Sequence, residues 1–168
     1  GKFGFFTLEK DSYQKVADEL GIFCKSKPGE PLRYARHPLV YMVEAADDIC
    51  YEIMDIEDSH KLKILSYEET ERLLLGFFDK ETQNKIKERI KEEGVTDENE
   101  KVVYMRASAI GRLENECVTA FLEHEKEILA GTFEGSLIDH IAEQQRYAYK
   151  ECEKTSFAKI YHSKPVLD

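Results

Sequence analysis

The fold is decided by one stretch in the first third of the chain, Arg36-His-Pro-Leu-Val-Tyr-Met-Val-Glu-Ala-Ala-Asp-Asp-Ile-Cys-Tyr-Glu-Ile-Met-Asp55. Its apolar residues recur three and four positions apart, as they do on one side of an α-helix. The pattern predicts a helix from Leu39 to about Glu57. The predicted inner stripe of this helix comprises Leu39, Met42, Val43, Ala46, Ile49, Cys50, Ile53 and Met54.

Two adjacent aspartates in this helix are predicted to face different ways. At about 100° per residue, Asp47 falls at the edge of the apolar stripe, whereas Asp48 falls on the far side, towards solvent. Tyr51 and Asp55 follow Asp47 after one and two turns. We therefore expect Asp47, Tyr51 and Asp55 to line one ridge beside the buried face.

This ridge has two interpretations. A carboxylate at the edge of a packed face is costly unless it is paired or holds a metal ion. A metal ion would supply the positive centre that an acidic protein needs to bind a phosphate, and Tyr51 and Asp55 would then contact the sugar or base of a ligand. Alternatively, Asp47 is solvated or pairs with a neighbouring base, and Tyr51 lies at the boundary of an amphipathic helix. The pattern alone leaves both open.

The remaining sequence is also helical in pattern. Residues 24–38 are rich in proline and predict a loop. Ser66 and Glu69 have the spacing of a capping box, and Gly21 and Gly94 are expected to end helices. Strand patterns are nearly absent, so the sequence predicts an all-α helical bundle. Helices are predicted at about 11–20 with Asp11 as the cap, 39–57, 66–78, 80–93, 98–130 and 136–154.

Composition narrows the possible functions. The 168 residues carry 34 acids and 24 bases, a net charge of −10. Strong binding to nucleic acid is not expected, because it needs clustered lysines and arginines. No apolar run reaches the roughly 18 residues of a membrane helix, and no signal peptide is recognisable. The four cysteines form no CxxC pair, so we expect reduced thiols in or near the core of a cytoplasmic protein.

Common catalytic motifs are absent from the sequence. It contains no P-loop, no GxSxG and no HExxH, and its five histidines are scattered. Residue patterns therefore single out only the ridge on the central helix.

The sequence of that helix resembles the bacterial deoxyguanosine triphosphate triphosphohydrolase family of the HD superfamily. The segments Arg36-His-Pro-Leu39 and Glu44-Ala-Ala-Asp-Asp-Ile49 carry the resemblance, together with Tyr51 and Asp55. Three flanking segments are also similar and occur in the same order: Lys2-Phe-Gly-Phe-Phe6, Arg106-Ala-Ser-Ala-Ile110 and Ala130-Gly-Thr-Phe-Glu-Gly135.

The resemblance implies hydrolysis of dGTP or another deoxynucleoside triphosphate to a deoxynucleoside and triphosphate. Enzymes of this kind hold a divalent metal, Mg²⁺ or Mn²⁺, through a histidine, a His-Asp doublet and a later aspartate, to which Asp47 corresponds. Tyr51 and Asp55 would face the deoxyribose. Arg106 and Arg36 are candidates for contact with the triphosphate, although either one could instead form a structural ion pair.

The sequence also departs from that family, because it contains no His-Asp doublet. We therefore expect a C-terminal part of a longer enzyme, in which residues 1–60 end the HD core and residues 61–168 form a further helical region. The expected partners are the missing N-terminal half and further copies of the protein, and the chain alone should be inactive. The alternatives are a non-catalytic helical module for regulation or oligomerisation, or an HD phosphohydrolase with another substrate.

Overall fold

The computed structural model describes residues 5–160 and is all-α, as predicted. One antiparallel bridge between Cys24 and Tyr34 is the only β pairing among these residues. None of the helices between residues 5 and 160 has an apolar stretch that could cross a membrane. The α-helices are α1 (Lys10–Leu20), α2 (Pro38–Lys61), α3 (Tyr67–Leu75), α4 (Lys80–Glu92), α5 (Glu98–Glu123), α6 (Glu125–Leu129) and α7 (Glu143–Thr155).

The helix ends follow local sequence signals. Ser66 and Glu69 form the predicted capping box at the start of α3, with both hydrogen bonds at 3.2 Å. The carboxylates of Asp79 and Asp97 accept backbone hydrogen bonds at the starts of α4 and α5. Gly21 ends α1 in the left-handed region, at φ 68°. These caps explain why most predicted helix boundaries are close to the observed ones.

Three predictions about helix ends were wrong, besides smaller shifts at the ends of α2 and α3. Asp11 does not cap α1, because a 3₁₀ turn at Thr7–Glu9 leads directly into it. The long helix predicted to reach residue 130 breaks at His124, whose φ of −103° and ψ of 12° separate α5 from α6. The last helix starts at Glu143 rather than Ser136, since Ser136 instead caps a separate 3₁₀ turn, Leu137–His140.

The core forms where α2 and α5 pack together, with α3 and α7 packed against α2. Its fully buried members include Ile53 and Ile56 of α2 and Leu113 of α5. Cys117 and Cys152 are buried, as expected of core thiols, but Cys24 and Cys50 are exposed. Lys2 and Phe3, which belong to the first of the segments that resemble the family, lie outside the described residues.

The buried face of α2 differs from the predicted stripe. It is formed by Tyr41, Ala45, Ile49, Glu52, Ile53, Ile56, Glu57 and Ser59. Of the predicted stripe only Ile49 and Ile53 are buried, whereas Val43 is 69% exposed. The prediction failed because α2 has apolar residues on two sides. The rest of the chain covers the side that also carries Glu52 and Glu57.

Candidate functional site

The exposed flank of α2 carries the candidate functional residues. Asp47 is exposed, Tyr51 is 61% exposed, and Asp55 is half-buried. Their spacing of four residues on a continuous helix places them on one ridge, as the sequence predicted. α2 continues beyond Asp55 to Lys61, so the helical backbone fixes the spacing of the three side chains along the ridge.

An uncovered apolar stripe runs beside this ridge. Its side chains are Leu39, Met42, Val43, Ala46, Cys50 and Met54, all exposed in the structure. A contiguous apolar surface next to polar side chains is typical of a face that another polypeptide covers. The carboxylate of Asp47 thus lies at the border of an apolar surface, but that surface is uncovered rather than packed within this chain.

Asp48 faces the bundle rather than solvent, which corrects the prediction. It is half-buried, and its backbone carbonyl accepts a hydrogen bond of 3.1 Å from the hydroxyl of Tyr149 on α7. Burial, and then the nearby charge of Asp48, raise the pKa of the Tyr149 hydroxyl. The helical wheel predicted that Asp48 is the more exposed of the two aspartates, but in the structure Asp47 is the exposed one.

A second contact joins the ridge-bearing helix α2 to Ser156, the residue that directly follows α7. Glu52 is 7% exposed, and its carboxylate accepts a hydrogen bond of 2.6 Å from the hydroxyl of Ser156. Burial raises the pKa of Glu52, the bond from Ser156 opposes that rise, and the charges of Glu153 and Asp55 add to it. The hydrogen bonds at Asp48 and Glu52 thus join α2 to α7 and to the residue that follows it, on both sides of Tyr51 in the sequence.

Arg106 forms an ion pair in the structure. Its Nη1 lies 2.5 Å from Oε2 of Glu57, whose side chain is only 2% exposed and also contacts Lys61 at 2.7 Å. Burial by itself would raise the pKa of Glu57, but hydrogen bonds from Lys61 and Arg106 hold that pKa below its ordinary value. Arg106 therefore forms the structural ion pair that the sequence analysis gave as an alternative. Contact between Arg106 and the triphosphate stays a prediction.

Arg36 is also paired, at the other end of α2. Its Nη2 lies 2.5 Å from Oε2 of Glu44, and its guanidinium lies 4.6 Å from the centre of the Tyr41 ring. The next residue, His37, caps α2 by accepting a hydrogen bond of 3.2 Å from the backbone amide of Leu39. Both residues line a cleft of about 700 Å³ between α1, the loop at residues 22–37 and the start of α2.

The described residues do not by themselves make a metal site. Among residues 5–160, no group of three or more His, Cys, Asp or Glu side chains could hold a metal ion. The paired rings of His124 and His140, 4.8 Å apart, lie against Phe133 rather than on the exposed flank of α2. Asp47 can therefore supply one carboxylate to a metal, and further ligands would have to come from another source.

Sequence reasoning missed the partners of these residues. Glu52, Glu57 and Glu44 were not singled out, although all three occur in the central helix. Glu44 carried a usable signal, since it lies in the same segment as Arg36, two helical turns later. Ser156, the partner of Glu52, lies 104 residues away in the sequence, and Arg106, one partner of Glu57, lies 49 residues away, so no local pattern could identify these two contacts.

Comparison with curated proteins finds relatives along nearly the whole chain. A deoxyguanosinetriphosphate triphosphohydrolase-like protein of Pseudomonas aeruginosa is 32% identical over 164 residues, which are 97% of this chain and 35% of the relative. Another from Synechocystis is 34% identical over 168 residues, 99% of this chain and 35% of the relative. A deoxyguanosinetriphosphate triphosphohydrolase of Yersinia enterocolitica is 27% identical over 146 residues, 81% of this chain and 27% of the relative. No family model matches the chain.

The chain spans about a third of the length of the curated relatives it matches: 35% of both the Pseudomonas aeruginosa and the Synechocystis protein. A polypeptide of the relatives' length thus contains much sequence that has no counterpart here.

Proposed function

The chain belongs to the family of deoxyguanosinetriphosphate triphosphohydrolase-like proteins, and we propose that it contributes part of the active site of a deoxynucleoside triphosphate triphosphohydrolase. The observation that carries this proposal is the ridge of Asp47, Tyr51 and Asp55 beside an uncovered apolar stripe. In the complete polypeptide, sequence outside these residues packs on the stripe and forms the opposite wall of the site.

Asp47 is proposed as one ligand of a divalent metal, Mg²⁺ or Mn²⁺. Its carboxylate is the accessible one of the two adjacent aspartates, and such metals prefer oxygen ligands. The remaining ligands are proposed to lie outside the chain, since its described part has no group that could hold the ion. When bound, such a metal supplies positive charge to the reacting phosphate and lowers the pKa of water.

The reaction proposed is hydrolysis at the α-phosphorus. Water adds to that phosphorus, the bond to the 5′ oxygen breaks, and this oxygen takes a proton, so the products are a deoxynucleoside and triphosphate. Tyr51 and Asp55, one and two turns beyond Asp47, are proposed to contact the deoxyribose. A phenol and a carboxylate can each hydrogen-bond to the 3′-hydroxyl of the sugar, and a tyrosine ring placed against C2′ leaves no room for a 2′-hydroxyl.

The proposal also covers the localisation and the oligomeric state of the protein. The complete protein is proposed to act in the cytoplasm and to form homo-oligomers. The 168-residue chain is expected to be inactive by itself, because one carboxylate does not hold a catalytic metal with high affinity. Measurable release of triphosphate from dGTP by the isolated chain would contradict this part of the proposal.

Two neighbouring variants of the complete polypeptide test the proposal. Asp47→Asn removes the proposed ligand charge and should lower kcat for dGTP by at least about a hundredfold. Asp48→Asn is the matched control, since it makes the same replacement of a carboxylate by an amide in a neighbouring side chain that is half-buried, and it should retain kcat within a few fold. Equal activity of the two variants would overturn the assignment of Asp47. A wild-type polypeptide without dNTP hydrolysis would overturn the proposed function itself.

A further inference from the structure

We propose that the cleft at the start of α2 binds the phosphate end of the substrate, with Arg33 as its principal cation. This inference rests on the proposed function, because the ridge on α2 defines where the sugar and the reacting phosphate lie. It adds a binding site and a residue, Arg33, that the sequence did not connect with the ligand.

The position of the cleft follows from the geometry of α2. Val40 and Glu44 line the cleft and precede Asp47 by seven and three residues on the same side of the helix. At about 1.5 Å per residue, they lie roughly 10 Å and 5 Å from Asp47 along the helix axis. Tyr51 and Asp55 lie in the opposite direction. A nucleotide with its sugar at Tyr51 and its α-phosphate at Asp47 therefore extends its outer phosphates into the cleft.

The charge of the cleft suits phosphate, unlike that of the chain as a whole. Its lining includes Arg33, Arg36 and His37, against the single carboxylate of Glu44. Glu44 is already paired with Arg36 at 2.5 Å. Arg33 forms no ion pair with any carboxylate in the part of the chain that the structure describes. In a protein of net charge −10, this leaves a local positive site where a polyanion can bind.

The backbone holds Arg33 in place. Its amide donates a hydrogen bond of 2.6 Å to the hydroxyl of Ser26, and its carbonyl accepts one of 2.6 Å from the amide of Lys25. The side chain of Arg33 is exposed, so its guanidinium can hydrogen-bond to phosphate oxygens in a bidentate manner. Arg33 is thus a cation on a fixed hairpin rather than on a loose loop.

His37 adds a hydrogen-bond donor to the same cleft. Its Nδ1 accepts from the amide of Leu39, so the neutral ring carries its proton on Nε2. The far wall is aromatic: the rings of Phe5 and Tyr13 stack at 4.4 Å, and Tyr34 lies 5.0 Å from Tyr13. The volume of about 700 Å³ is within the range of small-molecule sites.

Direct binding of inorganic tripolyphosphate to the complete polypeptide tests the inference without relying on turnover. Titration calorimetry with metal present should give a Kd that rises about tenfold in Arg33→Gln, and less in Arg33→Lys, which keeps the charge. Arg89→Gln is the control, because Arg89 is an exposed arginine on α4 that is paired with Glu93 and lies outside the cleft. Its Kd should equal that of the wild type, and the binding of deoxyguanosine should be the same in all four proteins.

The outcomes separate this inference from the proposed function. If tripolyphosphate does not bind, or binds wild type and Arg33→Gln equally, the cleft does not hold the phosphates and the inference is overturned. That result can occur in a polypeptide that hydrolyses dGTP, in which case the proposed function stands. Conversely, tripolyphosphate binding that depends on Arg33, in a polypeptide without dGTP hydrolysis, would support the cleft and contradict the proposed reaction.

Discussion

The hydroxyl of Tyr149 donates a hydrogen bond of 3.1 Å to the backbone carbonyl of Asp48, one residue after the carboxylate proposed to bind a metal. This bond joins α7 to α2 across 101 residues of sequence. The helix that carries Asp47 is therefore held against α7, near the end of the described chain, as well as against α5.

Removal of this hydroxyl should lower stability. Tyr149→Phe leaves the buried ring but deprives the Asp48 carbonyl of its partner, so the free energy of unfolding of the chain should fall by about 1 kcal/mol. Tyr147→Phe is the control, because Tyr147 is 66% exposed on the same helix and should change the value by less than about 0.5 kcal/mol. Urea unfolding monitored by circular dichroism measures both. Equal stability of the two variants would show that the bond contributes nothing.

The buried carboxyl of Glu52 should make stability depend on pH. Because its pKa is raised above the ordinary 4.5 in the folded chain, folding favours the protonated form, and stability falls as pH rises from about 4.5 through the raised pKa. Glu52→Gln cannot lose a proton, and its amide oxygen can still accept the hydrogen bond from Ser156. The variant should therefore exceed wild type in stability at pH 7, by an amount that shrinks towards pH 4.5.

The measurement for Glu52 is the urea midpoint at several pH values between 4.5 and 7. Glu88→Gln, an exposed position on α4, serves as the control and should follow the wild-type pH profile. A Glu52→Gln profile parallel to wild type would mean that this carboxyl has the same pKa in the folded and unfolded chains.

The ion pair between Glu57 and Arg106 should be a structural one. Arg106→Met leaves the buried carboxylate of Glu57 with Lys61 alone, and we expect a loss of about 3 kcal/mol in the free energy of unfolding. Adding Glu57→Gln should recover part of that loss, because it removes the uncompensated charge. A double-mutant cycle without coupling between the two positions would contradict the structural role.

Two glycines should respond in opposite directions to alanine. Gly131 has a φ of 65°, and a Cβ there would lie 2.7 Å from Cβ of Ala35 and from the Phe23 ring, so Gly131→Ala should lower stability by more than about 1 kcal/mol. Gly111 lies within α5, and a Cβ there meets nothing within 4 Å, so Gly111→Ala should raise stability by up to about 1 kcal/mol. Thermal unfolding of the two variants gives the signs directly, and a shared sign would refute the account of one of them.

Local signals in the sequence were sufficient for most of the fold. The capping box of Ser66 and Glu69 and the glycine at Gly21 act within one helical turn, so their effect can be read from neighbouring residues. The same reasoning placed Asp47, Tyr51 and Asp55 on one ridge, because a continuous helix fixes their spacing.

The buried face of α2 could not be predicted in that way. The apolar stripe through Val43 was expected to be inside, but the chain buries Glu52 and Glu57 instead, since Ser156 and Arg106 provide their partners. Such pairings depend on how distant helices come together. Which apolar stripe of α2 stays uncovered within residues 5–160 depends on the segments that pack against the helix, and no pattern within the helix indicates it.

The central claim is that Asp47 binds a divalent metal next to the substrate, and one crystallographic measurement tests it most directly. Crystals of the complete polypeptide grown with Mn²⁺ and a non-hydrolysable dGTP analogue should show an anomalous difference peak about 2.2 Å from a carboxylate oxygen of Asp47, with the α-phosphate beside it. A structure in which the nucleotide is bound while Asp47 points into bulk water, with no anomalous peak near it, would contradict the account.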